Sequence, residues 1–431
     1  MSGKEPMKAP EQRLGESTRR TTCRFCDGTD LTTVLDFGNV PLAGAFLTQA
    51  GIAGEKRYPL QLQFCRRCTL VQVGDVIPKE TLFQQNYFFH SSAIKTLVDH
   101  FQRLAQEIHR TMNRDGRCFV VEIGCNDGVL LKPLLSLGVK CVGVDPARNV
   151  LEASGLPAQM LVNDFFTTAV ASRIKERNGA ARVVVSSYSF GHIDDMVEVM
   201  EGVRALLADD GVFIFEIYYL GIMLDELQYD MIYHEHMSYY TLLSLGRFLE
   251  RFGMEIFDLQ RDPLRAGTIR FHARKRRAVN GAVSEAVVAL RKYEAERRLD
   301  RLETYVAFGD RVEASKRQLM TLLDRLKQEG RRIVGYGASG RASTIMNYCQ
   351  IGSRHLEYVV DDAPAKHGMY TPGTHLLIRP WSAVEEGPGR PEFALLFAWS
   401  FIEEVRSKRS GFLESGGRFI VPLPEVRVVA G

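Results

Sequence analysis

Between Arg117 and about Arg274 the chain alternates short apolar runs with stretches of helical character, and this alternation restricts it to few folds. The apolar runs are Cys118–Ile123, Lys140–Val144, Met160–Val162, Arg182–Ser186, Val212–Ile217, Glu255–Leu259 and Thr268–Ala273. Near-continuous apolar strands separated by helices predict a parallel sheet covered on both faces, an α/β fold. The last two runs follow each other without a clear helix, which predicts a hairpin. A second alternation starts at Arg331, with strands expected at Arg332–Tyr336, Tyr358–Asp361, Phe393–Phe397 and Arg418–Pro422. Between the two, Val283, Val287, Leu290, Tyr293 and then Leu319, Leu322, Leu326 recur at helix spacing, so two connecting helices are expected.

At 431 residues the chain is too long for one core. Five segments are expected: a disordered polar tail over 1–20, a turn-rich zinc-binding domain over 21–80, an α/β domain over 81–278, a helical connector over 279–330 and a second α/β domain over 331–431. The second of these gives way to helix from Phe83 to Met112, where Leu97, Phe101, Leu104 and Ile108 recur on one face. A net charge of only +3 gives no bulk attraction to nucleic acid or to an anionic membrane. No apolar run reaches the roughly 20 residues needed to span a bilayer, and residues 1–20 lack the apolar core of a secretory signal. A cytoplasmic protein is expected, monomeric or weakly self-associating.

Cys23-Arg-Phe-Cys26 and Cys65-Arg-Arg-Cys68 place four thiols in two knuckles. A two-residue gap lets both sulfurs of a pair face one metal, and two pairs complete a closed tetrahedral Zn2+ shell. Such a site is structural, because no position stays open for catalysis. The arginines between the cysteines are expected to lower the thiol pKa values.

The run Val120-Val-Glu122-Ile-Gly124-Cys-Asn126-Asp127-Gly128 ends a strand and opens a helix, where glycine lets a backbone approach a ligand closely. The next strand ends at Asp145, placed to accept ribose hydroxyls. Nicotinamide dinucleotides use the same pattern. Two details favour S-adenosylmethionine: the full glycine triplet of a pyrophosphate loop is missing, and Glu122 precedes the first glycine, where a cationic methionine moiety finds a partner. Asp164 and Phe165, after the third strand, are placed to bracket adenine.

In the second α/β segment, Gly335-Tyr-Gly337-Ala-Ser339-Gly-Arg341 again joins a strand to a helix. Helix amides and Arg341, with Lys366 in the turn after Asp361-Asp362, suit the diphosphate of a nucleotide-bearing substrate. A scaffold that only buttresses the active site and a nicotinamide site are the alternatives. Tyr233-His234-Glu235-His236 and His192 both follow strands and should reach the carboxyl edge of the first sheet, where α/β folds bind ligands. A zinc-peptidase reading fails, because the two histidines stand two residues apart rather than four.

Taken together, the cysteine pairs, Glu122-Ile-Gly-Cys-Asn-Asp-Gly128, Phe165-Phe166, Gly191-His-Ile193, Tyr233-x-Glu235-His236, Gly335-Tyr-Gly-Ala338, the run Val360-Asp361-Asp362-x-Pro364 through Thr371-Pro-Gly373, and Leu396-Phe-Ala-Trp399 resemble one family. The chain is similar to the sugar C-methyltransferases of deoxysugar biosynthesis, the group that includes the tetronitrose and mycarose 3-C-methyltransferases. The resemblance implies a class I methyltransferase Rossmann-like domain between an N-terminal zinc-binding domain and a C-terminal Rossmann-like domain. It implies a nucleotide-linked 4-keto-deoxysugar methylated on carbon, with His236 as base and Tyr233, Glu235 and His192 around the reacting sugar. Such chemistry needs a base near neutral pKa, tuned by a neighbour such as Glu235, and a donor for the developing oxyanion. Two positions depart from the family pattern. Tyr188 stands where a small Asn is usual, and Arg265-Ala-Gly267 replaces His-Gly-Gly, which gives Arg265 to a substrate diphosphate. An O- or N-methyltransferase, a zinc-ribbon interaction protein and a nicotinamide oxidoreductase are the competing readings.

Overall fold

The computed structural model describes residues 13–14, 17–83, 90–262, 267–276, 281–385 and 389–430. The first strands are β1 (Arg13–Leu14), β2 (Ser17–Arg19), β3 (Leu31–Val40), β4 (Tyr58–Cys65), β5 (Val71–Val73) and β6 (Asp75–Val76). β1 and β2 pair with β6 in a small antiparallel sheet. The tail expected over 1–20 is therefore too long at its carboxyl end. Arg19 fastens β2 by a two-point contact to the buried Asp75 at 3.1 and 3.0 Å, an ion pair that the polarity of the segment alone conceals.

After α1 (Lys79–Phe83) and α2 (Lys95–Met112) the parallel strands begin. They are β7 (Phe119–Ile123), β8 (Lys140–Val144), β9 (Leu161–Val162), β10 (Ala181–Ser187) and β11 (Leu207–Tyr218), connected by α3 (Leu131–Ser136), α4 (Arg148–Ala153), α5 (Thr168–Asn178) and α6 (Met196–Leu206). The chain then makes α7 (Leu220–Asp225), β12 (Ser238–Tyr239), α8 (Leu242–Glu250), β13 (Met254–Asp262) and β14 (Thr268–Lys275). The sheet order is β13-β14-β11-β10-β7-β8-β9. β13 and β14 form the expected hairpin, and β14 runs antiparallel to β11. Strand order reverses between β7 and β10, which opens a crevice at their carboxyl ends.

β12 does not belong to that sheet. It pairs with β5 and completes a four-stranded sheet, β12-β5-β4-β3. Residues 219–240 thus leave the α/β sheet, add a strand to the cysteine-bearing one and return. The division expected at residue 80 is for this reason not a division in space.

The connector holds the two expected helices, α9 (Glu285–Glu296) and α10 (Leu302–Gln328). The remainder comprises β15 (Ile333–Tyr336), α11 (Gly340–Cys349), β16 (Val359–Val360), β17 (Ile378–Arg379), α12 (Ser382–Glu385), β18 (Phe393–Leu396), α13 (Ile402–Lys408), α14 (Ser410–Glu414), β19 (Arg418–Val421) and β20 (Arg427–Val429). Its sheet is β17-β16-β15-β18-β19-β20, parallel except for β20. Among the described residues no helix is long and apolar enough to cross a membrane.

One apolar core runs from the four-stranded sheet (Phe37, Leu62, Phe64) through α10 (Tyr305, Phe308, Leu319) to the C-terminal domain (Ile345, Leu356, Leu395). α10 is therefore a buried partner of β3 as well as a connector. Gly309 makes this approach possible, since a Cβ there would lie 2.6 Å from the Val34 carbonyl. Alanine would gain about 1 kcal/mol of helix propensity, but overpacking against rigid backbone costs about 1–3 kcal/mol. Gly309→Ala is expected to lower the melting temperature. Gly246→Ala on α8, where nothing lies within 4 Å of the new methyl, is expected to leave it unchanged or raise it. Thermal melts of the two variants side by side check the sign.

Candidate active site

The crevice at the carboxyl ends of β7, β8 and β10 is a cavity of about 500 Å3. Its walls carry Glu122, Gly124, Asn126, Asp145, Asp164 and Phe165 on one side and Ser187, Tyr188, His192, Tyr218, Tyr233 and His236 on the other. Gly124 adopts φ +73°, and a Cβ there would meet Ser189 at 2.7 Å, so this turn needs glycine. Asp145 is buried and accepts the Asn126 amide at 2.9 Å and the Ala147 amide at 2.8 Å. Each of its oxygens retains acceptor capacity.

Two residues expected at the cofactor do not line this cavity. Asp127 accepts the amide and hydroxyl of Ser92, the latter at 2.5 Å, and so fastens the turn Ser91–Ala93 that precedes α2. Gly128 faces Leu156, which a Cβ would meet at 2.4 Å, and is a packing glycine.

The cavity's electrostatics select a cation. Glu122 is buried and its Oε2 has no hydrogen-bond partner. Burial, with Asp145, Glu216 and Asp127 nearby, pushes its carboxyl well above the usual range. Burial also pushes Asp145 up. A positively charged ligand relieves both. The residues present therefore fit S-adenosylmethionine, which carries an ammonium and a sulfonium. Beneath them, burial alone would raise Glu216, but hydrogen bonding from His100 and the charge of Arg270 hold it down at about 2.

The histidine segment divides its residues. His236 directs Nδ1 at the Met231 carbonyl, 2.7 Å away, and Nε2 at the Tyr233 hydroxyl, 2.8 Å away. A carbonyl only accepts, so Nδ1 bears a proton, and Nε2, which meets the Tyr233 hydroxyl, is the nitrogen that can accept one. His192 stacks on His236 with ring centroids 5.1 Å apart, and on Phe83 at 5.6 Å. Burial pushes the Tyr233 phenol well above its ordinary value, which keeps it a donor.

His234 and Glu235 turn elsewhere. His234 is buried, bonds the Pro59 carbonyl at 3.0 Å and is lowered to about 4 by burial, so it is a neutral tie to β4. Glu235 is not on the cavity wall. Its carboxylate accepts a backbone hydrogen bond from Gly44 of the cysteine-bearing domain, and burial raises its pKa. The expectation that Glu235 tunes the histidine is therefore corrected: the Met231 carbonyl occupies that place. No side-chain pattern announces a carbonyl partner. Tyr218, 5.5 Å from the His236 ring, was likewise visible in sequence only as a strand-end residue.

Of the residues assigned to a substrate diphosphate, Arg265 lies outside the described residues. The other four are outside the cavity. The Ser339 hydroxyl caps α11 at the Ala342 amide, Arg341 pairs with Asp230 at 2.8 Å, and Lys366 bonds the Ala338 carbonyl at 2.6 Å. Gly337 packs against Ala398. The loop nevertheless adjoins the site, since a Cβ on Gly340 would lie 3.7 Å from Tyr233.

The four cysteines come together, with their sulfurs all within 4.8 Å of one another. Cys23–Cys68 and Cys26–Cys65 are 3.4 and 3.6 Å apart. Zn–S bonds of 2.3 Å at tetrahedral angles require about 3.8 Å, so a Zn2+ fits with small adjustments. Contact with Cys65 pushes Cys23 up to about 12, while hydrogen bonds from Cys23 and Cys68 hold Cys65 down at about 2. The arginine side chains between the paired cysteines bond other groups: Arg24 bonds Asp194 and the Val73 carbonyl, Arg66 bonds Thr32, and Arg67 bonds the Cys26 carbonyl at 3.4 Å. Phe25, in the first knuckle, stacks on Phe248 of α8 at 3.8 Å.

Three family profiles match the chain: "C-methyltransferase C-terminal domain" over residues 263–424, "Methyltransferase domain" over 95–259 and "Putative zinc binding domain" over 23–83. C-methyltransferase NovU from Streptomyces niveus is 34% identical over 409 residues, 95% of this chain and 96% of that relative. The chain belongs to the C-methyltransferase family. It is an S-adenosylmethionine-dependent C-methyltransferase with a class I methyltransferase Rossmann-like domain, an N-terminal zinc-binding domain and a C-terminal Rossmann-like domain. A ubiquinone biosynthesis O-methyltransferase from Bradyrhizobium diazoefficiens is 30% identical over 107 residues, 24% of this chain and 42% of that relative. The solved CcbJ methyltransferase of Streptomyces caelestis is 14% identical over 41% of this chain and 90% of its own, with a TM-score of 0.32. The 1,6-didemethyltoxoflavin-N1-methyltransferase of Burkholderia thailandensis gives 21%, 41%, 79% and 0.31. At those scores the overlays add nothing to the sequence match.

In this methyltransferase the first knuckle reaches the active-site cavity, because Arg24 holds Asp194 on its wall at 2.8 Å. Purified protein is expected to carry one zinc per chain by elemental analysis. Chelation or Cys65→Ser is expected to lower both the melting temperature and kcat, since it frees the arginine behind that wall.

Proposed function

We propose that this C-methyltransferase acts on a nucleotide-linked 4-keto-deoxysugar, methylating a carbon next to the ketone through a base-generated enolate. The observation that carries this reading is the His236–Tyr233 pair at 2.8 Å on the wall of the cation-selecting cavity. Carbon becomes nucleophilic only after losing a proton, and a ketone stabilises the resulting charge. A methyltransferase acting on oxygen or nitrogen has less use for a base and an oxyanion donor side by side.

In the proposed sequence the Tyr233 hydroxyl leaves Nε2 of His236 when the sugar enters and donates to the ketone oxygen. Nε2 then takes the proton from the neighbouring carbon. The C–H electron pair becomes the enolate, and the proton stays on the imidazolium, which the Met231 carbonyl stabilises at Nδ1. S-adenosylmethionine, when bound, supplies an electrophilic methyl group to that carbon. Glu122 meets the positive methionine end, Asp145 the ribose, and Asp164 with Phe165 the adenine. His192, stacked on His236, orders the base and confines the sugar. Arg265 and the amides at the start of α11 beside Gly337 and Ser339 take the diphosphate, with Arg341 and Lys366 holding that loop.

Incubation with a panel of nucleotide 4-ketosugars and methyl-labelled S-adenosylmethionine, read by mass spectrometry, tests the substrate class. A product that gains the label while keeping every hydrogen α to the ketone would sink the enolate. His236→Asn is expected to lower kcat by about 10^2–10^4-fold and to leave cofactor binding intact by calorimetry. The pH dependence of cofactor binding follows from Glu122, whose carboxyl is raised in the free protein. A bound cation favours the carboxylate, so binding expels a proton and tightens as pH rises towards the free-protein pKa. Glu122→Gln is expected to weaken binding and to flatten that dependence. Calorimetry in buffers of different ionisation enthalpy measures the released proton.

A further inference from the structure

We propose that the C-terminal domain sets the protonation geometry of His236 through a buried clamp of Arg341, Asp230 and Trp399, making Asp230 a positioning residue. This rests on the reading of His236 as the base. Asp230 sits in the turn Tyr229–Met231, immediately before the carbonyl that receives the Nδ1 proton of His236. It is fully buried. Its Oδ2 accepts two hydrogen bonds from the C-terminal domain, from Arg341 Nε and from Trp399 Nε1, both at 2.8 Å. The guanidinium also lies 4.9 Å over the Trp399 ring and bonds Ser400 at 3.3 Å. From α11, the Thr344 hydroxyl bonds the Ile232 carbonyl at 3.4 Å. The turn that presents the Met231 carbonyl is thus held from outside its own domain.

The arrangement is expensive for a mere domain contact. Asp230 Oδ1 and Arg341 Nη2 are both buried without a hydrogen-bond partner. Buried ion pairs are rarely net stabilisers, and an apolar pair of equal volume would hold two domains as well. What an apolar pair cannot do is fix where a backbone carbonyl points. The imidazole tautomer is chosen by the partner of the nitrogen that does not react. Here that partner is Met231, also tied to the Tyr239 hydroxyl at 3.2 Å. If the turn rotates, Nδ1 loses its acceptor and the proton moves to Nε2, the nitrogen needed as base. Burial raises the Tyr233 phenol and the charge of Arg341 opposes that rise in part, so the clamp's guanidinium also acts on the hydroxyl that meets His236.

The test is a graded series read by kcat, cofactor KM and the 15N shifts of His236 in histidine-labelled full-length protein, with His236→Asn identifying the resonance. Wild type is expected to show the Nδ1–H tautomer. Asp230→Ala is expected to populate Nε2–H and to lower kcat by about 10- to 100-fold, with the KM for S-adenosylmethionine within about twofold. Asp230→Asn, which keeps an acceptor, should recover part of both. Should Asp230→Ala fail to fold, Trp399→Phe and Arg341→Lys, each removing one bond to Asp230, are judged by the same readouts. A folded variant that loses kcat while His236 stays Nδ1–H overturns the proposal, as does one that keeps both. Failure of the base reading itself would show separately, as near-wild-type turnover in His236→Asn.

Discussion

The hydrogen bond from His236 Nδ1 to the Met231 carbonyl is the contact on which the rest of the site depends. It decides which imidazole nitrogen can take a proton, and no side chain of the α/β sheet makes it. The carbonyl belongs to the excursion between β11 and α8, residues that pair through β12 with the cysteine-bearing sheet and through Asp230 with the C-terminal domain. On the proposed reading of His236 as the base, a group that must reach a bound substrate cannot be buried in the sheet that binds the cofactor. Hanging it on a separate loop gives reach at the cost of order. Three surrounding bodies restore the order by packing the excursion into their shared core, where Met223, Tyr229 and Ile232 lie beside Leu62 and Ile345.

The same logic explains the zinc domain. Its four-stranded sheet belongs to a segment of about 60 residues, a size at which a domain buries only about 60% of its unfolded surface and is marginal by itself. The sheet shares one core with α10 and the C-terminal sheet, while the knuckle residues Cys23, Phe25, Cys65 and Cys68 belong to the core of the cofactor domain. A metal shell makes this double attachment rigid. It fixes Phe25 against α8 and Arg24 against Asp194 from one tetrahedron.

The central parallel strands were legible because they are buried on both faces and read as apolar runs; Lys140–Val144 was read to the residue. The zinc cluster was legible because two knuckles constrain each other through spacing alone. Misread elements are short or set by distant partners. β2, β12, β17 and β20 hold two or three residues each, too few for a period to register. Arg341 was assigned to a phosphate because its position after a glycine turn suggests one, yet its partner lies 111 residues earlier. Glu235 stands next to His236 in sequence but, in a turn, points to the opposite side, towards Gly44.

The two Rossmann-like sheets repeat one local device and put it to different ends. In the first, the Gly124 amide bonds the Val144 carbonyl, and Asp145 accepts amides from Asn126 and Ala147. In the second, the Gly337 amide bonds the Val360 carbonyl, and Asp361 accepts amides from Ala338 and Ala363. Both turns are shaped by an acid that braces the glycine loop. The difference is the counter-charge. Asp361 has Lys366 at 3.3 Å, which also spans to the Ala338 carbonyl, whereas the acids below Gly124 are short of positive charge, with Glu122 left unpartnered. A loop that supplies its own cation has no electrostatic need for a positively charged ligand. A loop that lacks one favours a cationic ligand, so the same backbone device leaves an unmet negative charge in one half, while in the other it is neutralised from within and leads into the helix whose Arg341 holds Asp230.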